Sequence, residues 1–409
     1  MSAVVPPALL GVYGVLLSTA QFGSVVTHQG AAKHVQRHWT SQVAVAPYTR
    51  MLGRASARPT LLMALGLGGF LLLLHFLSGV PANIGLFLWM VVVNLLMVVT
   101  QTAQAALQAE DRFWANFAAT VTSSATRSFL PPLLVTIFGA TLFLLNTGFL
   151  LHAAATAGAA LWFLHAAWRR QGATEGIEED ELQLTIRAFA GVGICGWLAA
   201  SAPRWFAAMT LTPVVTGYFV LAGNLTLIVP ATVGTIALTY TFPALFGAAR
   251  AGADGRTLLR MTNHAVAIVM LSSQLGIVLL RLAAPLLIGP IIAARYTGAT
   301  AWLLATGGVS LAATTTQFYH NLLLAQNREP DCLRLSILSA FFRLTAMTAG
   351  AAAGSRAFDL TLIGLPWLTV ILEWWYVRRR LAAKPVVPAP PRFASRELVS
   401  DARASSQER

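Results

Sequence analysis

Long apolar stretches follow one another along most of this chain, and several windows exceed the roughly 18 residues that mark a membrane-crossing helix. With 56% hydrophobic and 11% charged residues in a chain of 409, the apolar content is more than a soluble core can bury. The sequence therefore predicts an all-α polytopic membrane protein. About eleven transmembrane helices are expected, near residues 4–26, 60–79, 82–107, 117–139, 141–165, 186–206, 213–239, 262–284, 299–324, 333–353 and 358–377. The connecting segments are short apart from 27–59, 166–185 and 240–261, which leaves no room for a sizeable soluble domain.

Basic residues set the expected orientation, because Lys and Arg are retained on the cytoplasmic side. Lys33, Arg37, Arg50, Arg54 and Arg58 fill the first long loop. Alternate later loops hold Arg112, then Arg169 and Arg170, then Arg250, Arg256 and Arg260, then Arg328, and the tail begins Arg378, Arg379, Arg380 and Lys384. The intervening loops hold Arg204, Arg295 and Arg356. An odd number of spans then puts the C-terminus in the cytoplasm and the N-terminus outside, in a multi-pass protein of the cytoplasmic membrane. No basic segment precedes the first apolar run, so residues 1–27 read as a retained span and not as a cleaved signal. Topology and anionic lipid headgroups account for the formal charge of +13, and no nucleic-acid partner is expected. The Pro-rich and charged tail from Ala382 onward has too little apolar surface to fold and is expected to be disordered.

An internal repeat divides the chain. Arg112 and Arg328 are separated by the same interval as Arg127 and Arg343 (328 − 112 = 343 − 127 = 216), and this interval also pairs Thr100 with Thr316, Gln101 with Gln317 and Ser123 with Ser339. In both copies a helix with a polar stripe ends at a short basic turn, and the next helix carries an arginine near its middle. Farther upstream, Gly11–Leu16 resembles Thr216–Leu221, with Tyr13 over Tyr218. Two lobes of related build are expected, residues 1–170 and 186–381, joined by a cytoplasmic linker at 171–185 and followed by the tail 382–409. The span at 186–206 has no counterpart before residue 4, so the first lobe is expected to lack its opening helix.

Arg127 and Arg343 lie within apolar stretches that contain no carboxylate to pair with them. A charge at the bilayer centre costs about 2.5–3.5 kcal/mol on insertion scales, so each should face water or an anion. Apart from Asp359 at the very start of its span, Glu373 is the one acid inside an apolar segment, and it falls near the expected cytoplasmic end of that segment. The missing anion is therefore expected to be the substrate. Asn94, Gln101, Gln104 and Gln108 recur at helical spacing on one face, as do Thr306, Ser310, Thr314, Gln317 and Asn321. Such stripes line a wet cavity or bond neighbouring helices. Pro131 and Pro132 free the carbonyls of Arg127 and Ser128, which predicts a kink beside the charge, whether for binding or for packing. Arg204 and Arg281 near outer ends, and Arg187 and Arg334 near inner ends, read as snorkelling anchors.

No other cluster points to chemistry. Cys195 and Cys332 are solitary, and His75, His152, His165 and His264 are scattered without ligand spacing. There is no phosphate-binding Gly-rich loop with a Lys, no nucleophile elbow and no cluster of membrane carboxylates. No catalytic residue, cofactor or metal is expected.

The runs GVYGVLLSTAQFGSVV (11–26), LQAEDRFWANFAATVTSSATR (107–127), SAPRWFAAMTLTPVVTGYFVLAGNL (201–225) and LLLAQNREPDCLRLSILSAFFRL (322–344) together resemble the polysaccharide exporters of the multidrug/oligosaccharidyl-lipid/polysaccharide flippase superfamily. The resemblance spans about residues 11–380 and rests on spacing more than identity. It implies two lobes around a central cavity and alternating access, moving an undecaprenyl-diphosphate-linked oligosaccharide to the outer leaflet. The partners it implies are that glycolipid, membrane lipids, and a polysaccharide polymerase and glycosyltransferases. Arg127 and Arg343 would then bind the diphosphate, while Asn94, Gln101, Gln104, Gln317 and Asn321 would bind sugar hydroxyls. The chain departs from the pattern in having Pro203-Arg204 where relatives commonly carry Asp-Arg. Rival readings are a drug exporter of the same fold, a polymerase-like membrane enzyme and a non-transporting scaffold. Scarce membrane carboxylates count against the first and short outer loops against the second, while the absent opening helix favours the third.

Overall fold

A computed structural model describes residues 5–22, 31–32, 34–35, 45–79, 81–109, 112–168, 179–326 and 328–382. These form eleven α-helices: α1 (Pro7–Ala20), α2 (Val45–Ser78), α3 (Ile84–Ala109), α4 (Phe113–Phe138), α5 (Leu142–Trp168), α6 (Glu179–Thr210), α7 (Pro213–Arg250), α8 (Gly255–Leu287), α9 (Leu303–Ala325), α10 (Glu329–Ala352) and α11 (Ser355–Ala382). A 3-10 helix, Ala294–Trp302, leads into α9. The tail beyond Ala382, most of the segment 23–44 and the loop residues 169–178 lie outside the described residues.

The helix order is the expected one, but the segments read as long loops are partly helical. Helix α2 begins at Val45 instead of 60, α6 at Glu179 within the expected linker, and α8 at Gly255, while α7 runs on to Arg250. Hydropathy marks only the lipid-immersed part of a helix. A helix satisfies its own backbone and can continue through the headgroup layer with polar side chains in water.

Seven helices, α2, α3, α5, α7, α8, α10 and α11, are long and apolar enough to cross a membrane by length and composition. Their outward faces carry bare leucine, isoleucine and phenylalanine: Leu62 and Leu65 are each 66% exposed and Phe76 82%. Exposure on that scale suits lipid and not water. The other four, α1, α4, α6 and α9, are shorter or more polar, and they carry most of the groups described below.

Local signals fix several boundaries. Pro7 and Pro213 occupy first turns, where a missing N–H costs nothing. Thr212 caps α7 by accepting from the Val215 amide at 3.4 Å, and Asp254 caps α8 by accepting from Thr257 at 3.0 Å. Bonds from the Thr257 hydroxyl and amide hold the Asp254 carboxyl below its usual range.

The repeat governs these boundaries too. Helix α3 ends at Ala109 and α9 at Ala325, and α4 begins at Phe113 and α10 at Glu329, both 216 residues apart (325 − 109 = 329 − 113). The chain leaves α4 at Gly139 and α10 at Gly354 with φ of 99° and 103°, a left-handed turn that glycine adopts without strain.

Helices α3, α4 and α5 pack on one another, and α7, α8, α9 and α11 form a second group. Helix α1 leaves the first group to pack along its repeat-mate α7. The contact is reciprocal: a Cβ on Gly11 would lie 2.8 Å from the Pro213 carbonyl, and one on Gly217 would collide with the carbonyl of Pro7. The Tyr296 hydroxyl donates to the Val5 carbonyl at 2.9 Å on the same side of the molecule. Deeper in, Trp197 and Trp205 of α6 pack against Phe70 of α2, the first edge-on and the second tilted, and donate to α1, Trp197 to the Ser18 carbonyl at 2.8 Å and Trp205 to Thr19 Oγ1 at 3.2 Å.

Candidate functional site

The two repeat-related arginines end in different surroundings. Arg343 is 4% exposed and is not without a carboxylate: its Nη2 lies 3.5 Å from Glu373 Oε1 on α11. The same nitrogen donates to the Ala312 carbonyl at 2.7 Å and to Thr316 Oγ1. Glu373 Oε1 accepts from the Thr316 hydroxyl at 2.7 Å and the Ser339 hydroxyl at 2.6 Å. This corrects the expectation of an unpaired charge. Helix α11 runs on to Ala382 and sits against α9 and α10, so Glu373 is fully buried instead of lying at a wet helix end. The pair ties three helices together, with Arg343 Nε and Glu373 Oε2 left without hydrogen-bond partners.

Arg127 is exposed, and among the described residues no carboxylate pairs with it. Its guanidinium acts electrostatically on Tyr13 of α1, His152 of α5 and Arg204 of α6. Among the described residues, no carboxylate acts on any of these three groups. At about 1.5 Å per residue, Tyr13 and Arg204 each lie about 9 Å from their helix ends on the Pro7 side, and Arg127 lies deeper, about 16 Å from the Phe138 end of α4. Helix α4 packs against α5 and α3 but not closely against α6, so the two arginines come from helices that are not packed on one another.

The rest of this site is firmly built. His152 Nδ1 is 2.8 Å from Thr126 Oγ1 and 3.3 Å from Thr156 Oγ1, which fixes the ring beside Arg127. Pro131 lies within α4, and Gly148 of α5 sits so close that an added Cβ would be 2.5 Å from the Pro131 Cα. Helix α5 thus backs the proline segment of α4, one turn beyond Arg127.

The polar stripes divide. Asn94 is fully buried and donates to the Met90 carbonyl at 2.7 Å, within its own helix. Thr306, Ser310 and Thr314 likewise bond carbonyls one turn back, at 2.8, 3.2 and 3.0 Å. Gln101 and Gln104 are half-buried, with Gln101 Oε1 buried and lacking a hydrogen-bond partner, while Gln317 is exposed and Asn321 half-buried. The side chain of Gln108 lies outside the described residues. The structure thus gathers Arg127 with Arg204, His152 and Tyr13 and leaves Arg343 in a separate buried network. Sequence reading placed Arg204 as an interfacial anchor. Nothing in the local sequence around Arg204 tied it to Arg127, because the two meet only through the arrangement of separate helices.

No family model and no curated protein matches this sequence. Solved structures do match it. An inward-facing multidrug resistance MATE family transporter of the MOP superfamily aligns over 92% of this chain and 91% of its own at 14% identity, with a TM-score of 0.63. An outward-facing one aligns over 93% and 90% at 15% identity and 0.62. A MOP superfamily transporter from Pyrococcus furiosus, described by the reverse polarity of its binding pocket, aligns over 92% and 88% at 14% identity and 0.58. Two related helical lobes in this order give the chain the fold of the MATE transporters of the MOP superfamily.

Proposed function

We propose that this protein moves a lipid-diphosphate-linked oligosaccharide across the cytoplasmic membrane by alternating access, with its C-terminus in the cytoplasm. One observation carries the reading: Arg127 lies close enough to Arg204 to act on it electrostatically, and among the described residues no carboxylate acts on Arg204. Two cations held together at membrane depth repel one another and are poorly solvated, so an anion between them stabilises the arrangement. A diphosphate offers oxygens to both guanidinium forks at once. His152 and Tyr13 add hydrogen-bonding groups beside it, and Gln101 and Gln104 are placed on α3 to meet sugar hydroxyls. Arg343 has no part in this contact, since Glu373 already neutralises it.

A drug exporter of the same fold is the second reading, favoured by the likeness to multidrug transporters. The charge of the site separates the two readings, because paired arginines repel organic cations. The test is to measure lipid-diphosphate oligosaccharide in cells lacking the protein, complemented with wild type or with Arg127→Gln plus Arg204→Gln. Accumulation on the inner leaflet that only wild type clears supports the proposal. Each arginine supplies charge-assisted bonds, so a single replacement should cut flux by roughly tenfold or more. Unchanged glycolipid with increased sensitivity to cationic drugs would move the drug-exporter reading ahead.

A further inference from the structure

A second cationic surface lies far from Arg127, on the arginine-rich side of the molecule. A cavity of about 490 Å3 opens between α2 and α6, lined by Arg54, Arg58, Pro59 and Leu62 on one wall and by Gln183 and Ile186 on the other. Arg54 and Arg58 are one turn apart on one helix face, and both are exposed. Among the described residues, no carboxylate lines the space. Pro59 cannot donate to the carbonyl of Ala55, which also lines the cavity, so the helix is loosened there. From Arg54 to Leu62 is about 12 Å along the axis. Leu62 and its neighbours Leu61 and Leu65 are 66%, 63% and 66% exposed, which marks the lipid boundary. The cavity is therefore cationic at one end and opens onto the apolar layer at the other. Membrane topology asks only that arginines lie on this side. It does not ask that two of them share a face above a cavity walled by both halves.

We infer that this cavity is the capture site where a polyprenyl diphosphate first docks, before it reaches Arg127. The inference rests on the flippase reading. The diphosphate bridges Arg54 and Arg58 and accepts from the Gln183 amide, and the first isoprene units lie over Pro59, Leu62 and Ile186. The rest of the tail stays in the bilayer. The cavity falls in the range of about 300–1,000 Å3 usual for a small ligand, so it holds a headgroup and leaves the glycan in the cytoplasm. A monoester or diester headgroup engages one arginine well, whereas a diphosphate engages both, so the site selects for diphosphate over ordinary anionic lipid.

The test uses full-length protein in phosphatidylcholine nanodiscs and an undecaprenyl diphosphate carrying a benzophenone on its first isoprene unit. After irradiation, labelled peptides are mapped. Wild type should label α2 near residues 54–62, with competition by undecaprenyl diphosphate at least tenfold better than by phosphatidylglycerol. Arg54→Gln plus Arg58→Gln should lower this label by tenfold or more. Leu62→Trp, which fills the cavity and keeps both charges, should lower it too, so a change in topology cannot imitate the result. Arg127→Gln plus Arg204→Gln should leave it intact while abolishing transport. Label near Arg127 without label on α2 overturns the capture site and spares the flippase reading. Label at neither place sinks both, and equal competition by phosphatidylglycerol reduces the cavity to a general anionic-lipid contact and overturns the inference.

Discussion

Glu373 decides what Arg343 can do. Removing one partner of a buried ion pair leaves an unsolvated charge, so Glu373→Ala should destabilise the protein by about 3–5 kcal/mol. Replacing both partners with apolar residues, Arg343→Met plus Glu373→Leu, should restore most of that loss in thermal unfolding in detergent and should leave transport intact. If the double variant folds but fails to transport, Arg343 belongs to the binding site after all. Asp254 makes a smaller prediction. Its carboxyl is held low by Thr257, so the cap is complete above the ordinary carboxylate range and is lost as pH falls through the folded-state value. Amide protection at Thr257 and Leu258 should fall over that window in wild type and be flat in Asp254→Asn. The presence of both arginines within apolar stretches was legible in the sequence. Their partners were not, because Arg343 and Glu373 meet only through the rotation and depth of α10 against α11, and Arg204 reaches Arg127 only through the docking of separate helices.

Helix order and the repeat were legible because both depend on local patterns: apolar run length, the turn residues and the constant interval between matched side chains. Helix ends were less so, since polar turns of α2, α6 and α7 look like loop to a hydropathy reading. The packing of α1 on α7 rests on close backbone approach, which is invisible until the two helices are set together. Any side chain at position 217 must push the Pro7 carbonyl away. Gly217→Ala should therefore lower stability by about 1–3 kcal/mol, as overpacking does. Gly158→Ala on α5, where an added Cβ meets nothing within 4 Å, should be neutral or slightly stabilising. Comparing the two by thermal unfolding separates close approach from ordinary helix propensity. A fall of equal size in both would show that the contact between α1 and α7 contributes little.

The two ends of the molecule are built differently. The glycine contact of α1 with α7 and the Tyr296 bond to Val5 join helices on the Pro7 side, while a cavity lies between α2 and α6 on the arginine-rich side. In inside-out vesicles, Gln183→Cys should react quickly with an impermeant maleimide and Val220→Cys, on the α1–α7 contact, should be protected. The opposite pattern would mean that the resting protein opens the other way. Arg127 acts on Arg204 although α4 and α6, which carry them, are not closely packed, and for the proposed transport this arrangement has a mechanical consequence. An anion gripped by both is a rivet between two bodies that otherwise repel at that point. In the proposed cycle, loading would draw the two helices together and unloading would let them part, so that the cargo itself would work the movement that carries it.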